Sequence, residues 1–251
     1  MEVEDRMIEI TLDSIRNIRD LGDTITRDGR KIRRNKFIRS AHLGRLNEED
    51  LKYLKENHDL DTIIDLRTYR ETSEVPDQYY DLKYLHLPIV KNFEDGITHE
   101  KKEVRRFPDL TDTYIDLVCK EDYLSGFRDV LNTILDRDEK QGAVLWHCSE
   151  GKDRCGMTSV MVEMLLGVDE KTIREDYLFT NKTNKAKAEK IYRKVFEETG
   201  SEEVAASIYR AFIADEKYLD AALNNMGENF FEKKLKLDPK KIEKFKERNL
   251  I

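Results

Sequence analysis

Apolar residues fall in short alternating or continuous runs early in this chain and take helical spacing later. Met7-Ile8-Glu9-Ile10-Thr11-Leu12 alternates as a half-buried strand does. Asp28-Gly29 reads as a turn between two extended pieces, the second being Lys36-Phe37-Ile38-Arg39. Asn47 precedes an acidic first turn and then Leu51, Leu54 and Leu60, the signature of a capped helix start. Thr62-Ile63-Ile64-Asp65-Leu66 predicts a buried strand, and Tyr84 to Ile89 another that ends at Pro88. Helices are expected from about Tyr114 and from about Ser125 to Asp138. Ala143-Val144-Leu145-Trp146-His147 is the strongest strand signal, and helical spacing resumes from Gly156. Beyond Val168 nearly everything reads helical, with starts at Asp169, Ser201, Asp215 and Asp238-Pro239 and stops at Gly167, Gly200 and Gly227.

Strands alternating with helices predict an α/β fold: a mainly parallel central sheet flanked by helices, with a helical C-terminal region. No repeat or linker interrupts it. The expectation is one domain over 1–251, with a core at about 8–167 and a helical part at about 168–251 packed on it. The Lys/Glu-rich tail from Lys233 to Arg248 reads as a solvated helix face.

Composition narrows the function. Lys+Arg number 45 against 52 Asp+Glu, a formal charge of −7, which argues against a broad nucleic-acid footprint. One oriented loop can still bind an anion against that background. Three cysteines, Cys119, Cys148 and Cys155, make no disulfide framework and suit a reducing compartment. The acidic start MEVEDRMIEITLDSIRN does not look like a secretory signal, and no stretch nears the roughly 20 apolar residues of a membrane span. The expected location is therefore cytoplasmic, without stable membrane insertion; nothing speaks to oligomeric state.

Chemistry concentrates in His147-Cys148-Ser149-Glu150-Gly151-Lys152-Asp153-Arg154-Cys155-Gly156, between the strongest strand and a helix. Such a segment can curl with its backbone N–H groups inward and a helix N-terminus behind, making a concave anion site from Ser149, Glu150, Gly151, Lys152, Asp153 and Arg154. A thiol of ordinary pKa about 8.5 is lowered to roughly 3.5–7.5 by a helix N-terminus and a nearby cation, which makes Cys148 a candidate nucleophile. A guanidinium can clasp two phosphoryl oxygens, the role Arg154 suits. Together they fit in-line attack on a phosphate monoester through a cysteinyl-phosphate. Gly151 allows the tight loop.

This segment resembles the HCxxGKDRxG phosphate loop of protein tyrosine phosphatases, in particular the atypical bacterial branch of tyrosine, dual-specificity and lipid phosphatases. Asn17-Ile18-Arg19-Asp20-Leu21-Gly22, Arg39-Ser40-Ala41-His42-Leu43 and Ile64-Asp65-Leu66-Arg67 resemble further segments of that family, in order, so the likeness spans about residues 8 to 167. It implies a protein tyrosine phosphatase-like fold and a phosphorylated protein or phosphoinositide as substrate. It also implies Asp153 as general acid, with no cofactor and no metal. Asp65, Asp109, Asp112 and Asp116 remain rivals for the proton-donor role. Cys155 departs from the pattern, where Ser or Thr follows the arginine. A thiol donates weakly, so slow release of the phosphocysteine is expected. The spacing also admits a reversible Cys148–Cys155 disulfide.

Other readings stay open. Lys152 either meets a second anionic group or lies exposed, Glu150 is expected to point outward, and His147 to orient the loop. Cys119 is expected to pack in a helix. The charged stretch 91–112, with Lys101, Lys102, Arg105 and Arg106, reads as a lid or as a surface for a polyanionic head group. A metal on His147, Cys148 and Cys155 lacks a second ligand pair. A low-turnover phospho-binding module and a sulfurtransferase are the competing functions.

Overall fold

A computed structural model describes residues 8–90 and 109–251. Its sheet has six strands: β1 (Ile8–Glu9), β2 (Arg19–Asp20), β3 (Phe37–Ser40), β4 (Leu60–Asp65), β5 (Lys83–His86) and β6 (Ala143–His147), in the order β1-β2-β3-β6-β4-β5. β3, β6, β4 and β5 run parallel, while β1 and β2 are antiparallel at one edge. The mainly parallel sheet is as expected. β1 is shorter than its alternating pattern, Met7 lies outside the described residues, and β2 carried no periodic signal of its own. β5 stops at His86, short of the predicted Ile89.

β6 shows why its strand signal was strong. All of its residues are buried, and their side chains divide between two cores. Val144 and Trp146 join a cluster with Phe37, Ile64, Tyr114, Phe127 and Met161, whereas Ala143 and Leu145 join Ile15, Ile38, Leu54 and Ile63. A strand covered on both faces reads as a continuous apolar run. The first core is closed by α3 (Thr111–Cys119), α4 (Glu121–Leu135), α5 (Asp153–Leu166), α8 (Glu216–Met226) and α10 (Pro239–Asn249). The second is closed by α1 (Glu48–His58).

Helix ends follow local chemistry. The Asn47 side chain accepts from the Asp50 N–H at 2.8 Å. α6 (Glu170–Thr199), α7 (Glu202–Phe212), α8 and α10 begin at Asp169, Ser201, Asp215 and Asp238, each bonding an N–H of its own first turn. Gly167 and Gly200 end α5 and α6 in the left-handed region. Four boundaries differ from expectation: α3 begins at Thr111, α4 begins at Glu121 and ends at Leu135, and α5 begins at Asp153 inside the motif rather than at Gly156. One short helix went unpredicted, α2 (Tyr69–Glu74), whereas α9 (Phe230–Lys233) falls in the stretch that reads helical. The tail is not wholly solvated, because α10 buries Ile242, Phe245 and Asn249.

α6 and α7 form a hairpin with its own small core of Ala188, Val195, Ala205, Ile208, Ala211 and Phe212. Among the described residues no helix is long and apolar enough to cross a membrane.

The register positions the site. Ser40 pairs with His147, and His147 with Asp65, so β3, β6 and β4 end at one level. The turns that follow them meet beyond the carboxyl edge of the sheet, the usual ligand position in open parallel sheets.

Candidate active site

The turn after β6 carries residues 148–152 into the first turn of α5. Its carbonyls are tied from outside. Asn17 Nδ2 donates to the carbonyls of Glu150 (3.1 Å) and Gly151 (3.0 Å), and Arg39 Nη2 donates to that of Gly151 (2.9 Å). In a trans peptide C=O and the next N–H point oppositely, so these bonds turn the N–H groups of Gly151 and Lys152 to the inside of the curve. No protein acceptor for the backbone N–H groups of 149–154 occurs among the described residues. Gly151 has φ +68, and a Cβ there would meet Asn17 Nδ2 and the Ser40 carbonyl at 2.7 Å. Only glycine fits both constraints.

The outer ties are themselves anchored. Arg19 donates to Asn17 Oδ1 (2.6 Å) and to Asp176 Oδ1 (2.6 Å), and Arg39 pairs with Asp176 Oδ2. All four residues are buried. The Asp176 carboxyl is held below its ordinary pKa: burial opposes this, but Arg19 and Arg39 outweigh it. Asn17, Arg19 and Arg39 thus lie in family-like segments that the sequence placed in order but gave no role.

Arg154 is 1% exposed. Its Nη1 and Nη2 donate to Glu71 Oε2 (2.6 Å) and Oε1 (2.7 Å), and Ser149 Oγ also donates to Glu71 Oε1. The Thr68 N–H and hydroxyl hold Glu71 Oε2 at 2.9 and 3.0 Å. Burial resists ionisation of Glu71, but Arg154 brings its pKa down to about 2. Arg154 Nε is buried without a protein acceptor among the described residues. Glu71 was missed by sequence reasoning, as was the helix that carries it. The signal available was Thr68-x-x-Glu71, a capping box that the structure forms.

Cys148 is 3% exposed at the start of the loop. Cys155 is fully buried, and its thiol faces the Trp146 carbonyl at 3.6 Å. Burial pushes the Cys155 thiol up to about 12, so it is a neutral thiol. Both cysteines are free.

Asp153 is 4% exposed, and its Oδ1 accepts from the Tyr114 hydroxyl at 2.6 Å and lies 3.3 Å from Lys152 Nζ. Lys152 is where sequence reasoning failed most plainly. It neither lies exposed nor reaches outward: it is fully buried, with Nζ donating to the carbonyls of Ala211 (2.5 Å) and Ile213 (3.4 Å). Only its backbone remains available to an anion. Glu150 turns away from the loop, not to open solvent but to Lys187 (2.5 Å) and Arg16 (3.5 Å).

Three of the four rivals for proton donation are engaged elsewhere, and the fourth, Asp112, lies exposed on α3. Asp65 is fully buried and accepts from Arg67 at its backbone N–H, Nε and Nη2, and from the Tyr84 hydroxyl. Burial opposes its ionisation, yet His147 and Arg67 hold it far below the ordinary carboxylate range. Asp109 pairs with Lys217, and Asp116 with Lys120. From 109–119 the contact to the loop is Tyr114, not an aspartate. Lys101, Lys102, Arg105 and Arg106 lie outside the described residues.

Asp65, Asp77 and His147 converge closely enough to hold a metal ion. Arg67 Nη2 already sits 2.6 Å from Asp65 and 2.7 Å from Asp77, so a guanidinium fills that cation seat. His147 Nε2 lies 3.0 Å from Asp77, and its Nδ1 is 3.3 Å from the Cys148 carbonyl. Its pKa rises because Asp77 and Asp65 outweigh the opposing effect of burial.

The model of the "Tyrosine phosphatase family" matches residues 10–251. A protein of Cupriavidus necator named "Putative tyrosine-protein phosphatase" is 26% identical over 179 residues, covering 70% of this chain and 64% of that one. A "Tyrosine-protein phosphatase" of Nostoc commune is 31% identical over 148 residues, covering 56% of this chain and 47% of that one. The chain therefore spans about half to two-thirds of the relatives it matches. P. aeruginosa TpbA in its crystal structure is 16% identical, with a TM-score of 0.31, over 79% of this chain and 91% of that one.

Proposed function

Since the chain belongs to the tyrosine phosphatase family, we propose that it hydrolyses phosphomonoesters, phosphotyrosine in proteins first among them, with Cys148 as nucleophile. In this reading the Cys148 thiolate attacks phosphorus, the bond from phosphorus to the leaving oxygen breaks, and Asp153 supplies the proton that oxygen needs. Water then attacks the phosphocysteine, Asp153 takes up its proton, and the P–S bond breaks to release inorganic phosphate. The inward N–H groups of the loop receive the phosphoryl oxygens, and no metal or cofactor enters a step.

The observation that carries this reading is the state of Arg154. Its Nη1 and Nη2 fork is taken by Glu71, while the buried Nε–H has no protein acceptor among the described residues. A buried donor without a partner is costly, and a phosphoryl oxygen is the acceptor that would satisfy it. The Nε edge, rather than the terminal fork, is thus assigned to substrate.

Phosphoserine, phosphothreonine and phosphoinositides are the finer alternatives for substrate. The test is steady-state phosphate release from a panel of phosphopeptides and phosphoinositides, with Cys148→Ser as blank. Turnover highest on phosphotyrosine supports the proposal, and no release above the blank on any substrate ends it. A stoichiometric burst without turnover would favour the phospho-binding reading, which the buried, neutral Cys155 motivates.

A further inference from the structure

Among the described residues, Asp153 is held by one oxygen only. Tyr114 and Lys152 both address Oδ1. Tyr114 in turn lies 2.8 Å, hydroxyl to hydroxyl, from Tyr177 on α6. Each hydroxyl has a single proton. An ionised carboxylate can only accept, so Tyr114 gives its proton to Oδ1, and Tyr177 must give its own to Tyr114. The direction of the chain is therefore fixed, Tyr177 to Tyr114 to Asp153. With two donors on Oδ1, a proton arriving at Asp153 has its place on Oδ2.

We propose that Tyr114, backed by Tyr177, is the positioning residue that orients Asp153 and reserves Oδ2 for the transferable proton. This rests on the proposed function, in which Asp153 donates to the leaving oxygen. The surroundings suit the role. Tyr114 is fully buried, stacks on Tyr218 (5.4 Å, 25°) and meets the Tyr177 ring edge-on (6.3 Å, 82°), so its ring stays in place whether or not it carries the hydroxyl. Burial and Asp153 hold both tyrosines well above their ordinary pKa, and they remain neutral donors throughout the working range. Among the described residues, the other charged or titratable groups facing this cluster are Lys152 and Arg154 of the loop and Tyr218 and Asp215 beside Tyr177.

The sign of the effect follows from the donor. A hydrogen bond to the carboxylate favours the ionised form, so losing it makes Asp153 harder to deprotonate. Activity that needs protonated Asp153 falls as pH rises. Tyr114→Phe should therefore move the basic limb of the kcat/KM profile upward by about half to one pH unit. It should also lower kcat/KM more on phenyl phosphate than on p-nitrophenyl phosphate, whose leaving group needs the proton less. In an Asp153→Asn background it should change neither.

An unmoved limb with equal losses on both substrates would overturn the proposal, as would the same loss in the Asp153→Asn background. If Tyr114→Phe does not fold, Tyr177→Phe reads the same device, with a smaller shift in the same direction; no shift there overturns it. The two levels separate cleanly. A wild type that releases no phosphate above the Cys148→Ser blank defeats the proposed function, whereas an active wild type with an unmoved Tyr114→Phe profile defeats only the role of Tyr114.

Discussion

The loop from Cys148 to Arg154 is gripped from two sides with different chemistry. On the sheet side, Asn17 and Arg39 pull its carbonyls outward, and Arg19 and Asp176 hold them, so that three charged side chains are buried together. On the helix side, Asp153 is caught by the Tyr114 hydroxyl of α3, itself bonded to Tyr177 of α6, and Lys152 by carbonyls at and just beyond the end of α7. A buried charge stripped of its partner is expensive, whereas a hydroxyl can be removed at modest cost. The sheet side therefore fixes the shape of the hollow. The helix side can adjust the chemistry within it.

The strongest way to break this contrast is Asp176→Ala, which strands Arg19 and Arg39 in the core. A loss of about 3–5 kcal/mol in urea unfolding is expected. A loss under about 1 kcal/mol would mean that the sheet-side clamp is no more demanding than the helix-side one.

Glu71→Gln comes next and concerns the arginine that both sides frame. An amide keeps one acceptor but cannot match both Nη groups, so Arg154 loses its fixed orientation. We expect kcat/KM to fall about 10- to 100-fold, consistent with the cost of misplacing a catalytic group by about 1 Å. Stability supplies a second check. Because the Glu71 pKa is lowered to about 2, its contribution is present above its unfolded value of about 4.3 and is lost as pH falls through the folded one. The stability gap between wild type and Glu71→Gln should close over that window. A gap constant from about pH 6 to pH 2 would refute the ion pair.

How much of this was legible depends on how local each cause is. The helix starts at Asn47, Asp169, Ser201, Asp215 and Asp238 could be read because a cap bonds its own first turn. β6 could be read because both faces demand apolar residues. The Cys148-to-Arg154 spacing is likewise contiguous in the chain. α2 could not be read from periodicity: it has six residues, and the one it buries is Glu71, a polar residue. Lys152 looked like a surface or substrate-facing cation because lysine is rarely buried without partners. Its partners are the carbonyls of Ala211 and Ile213, some sixty positions away, and no pattern of residue types announces a backbone acceptor.

Lys152→Met sharpens the comparison from the helix side. The substitution keeps most of the buried stem and leaves Asp153 its bond from Tyr114, whereas Asp176→Ala leaves two buried guanidiniums without their carboxylate. We expect about 1 kcal/mol of destabilisation, well below Asp176→Ala. A loss equal to that of Asp176→Ala would erase the distinction between the two clamps.

The smallest effect belongs to Cys155, back on the sheet side. Its thiol is directed at the Trp146 carbonyl and is neutral, because burial raises its pKa to about 12. A thiol donates weakly, and this one is engaged by the Trp146 carbonyl, so in the proposed reaction the departing Cys148 sulfur would gain little from it. A serine at 155 offers a stronger donor on a shorter arm. If that hydroxyl turns to the leaving thiolate, breakdown of the phosphocysteine quickens, and kcat should rise about two- to fivefold, under about 1 kcal/mol of barrier. If the Trp146 carbonyl holds the serine as it holds the thiol, kcat stays where it was. Rapid-mixing measurement of the burst against the steady state distinguishes these outcomes. A rise in the steady-state rate with an unchanged burst amplitude places the benefit in the second chemical step, while an unchanged rate shows that the sheet side governs shape alone.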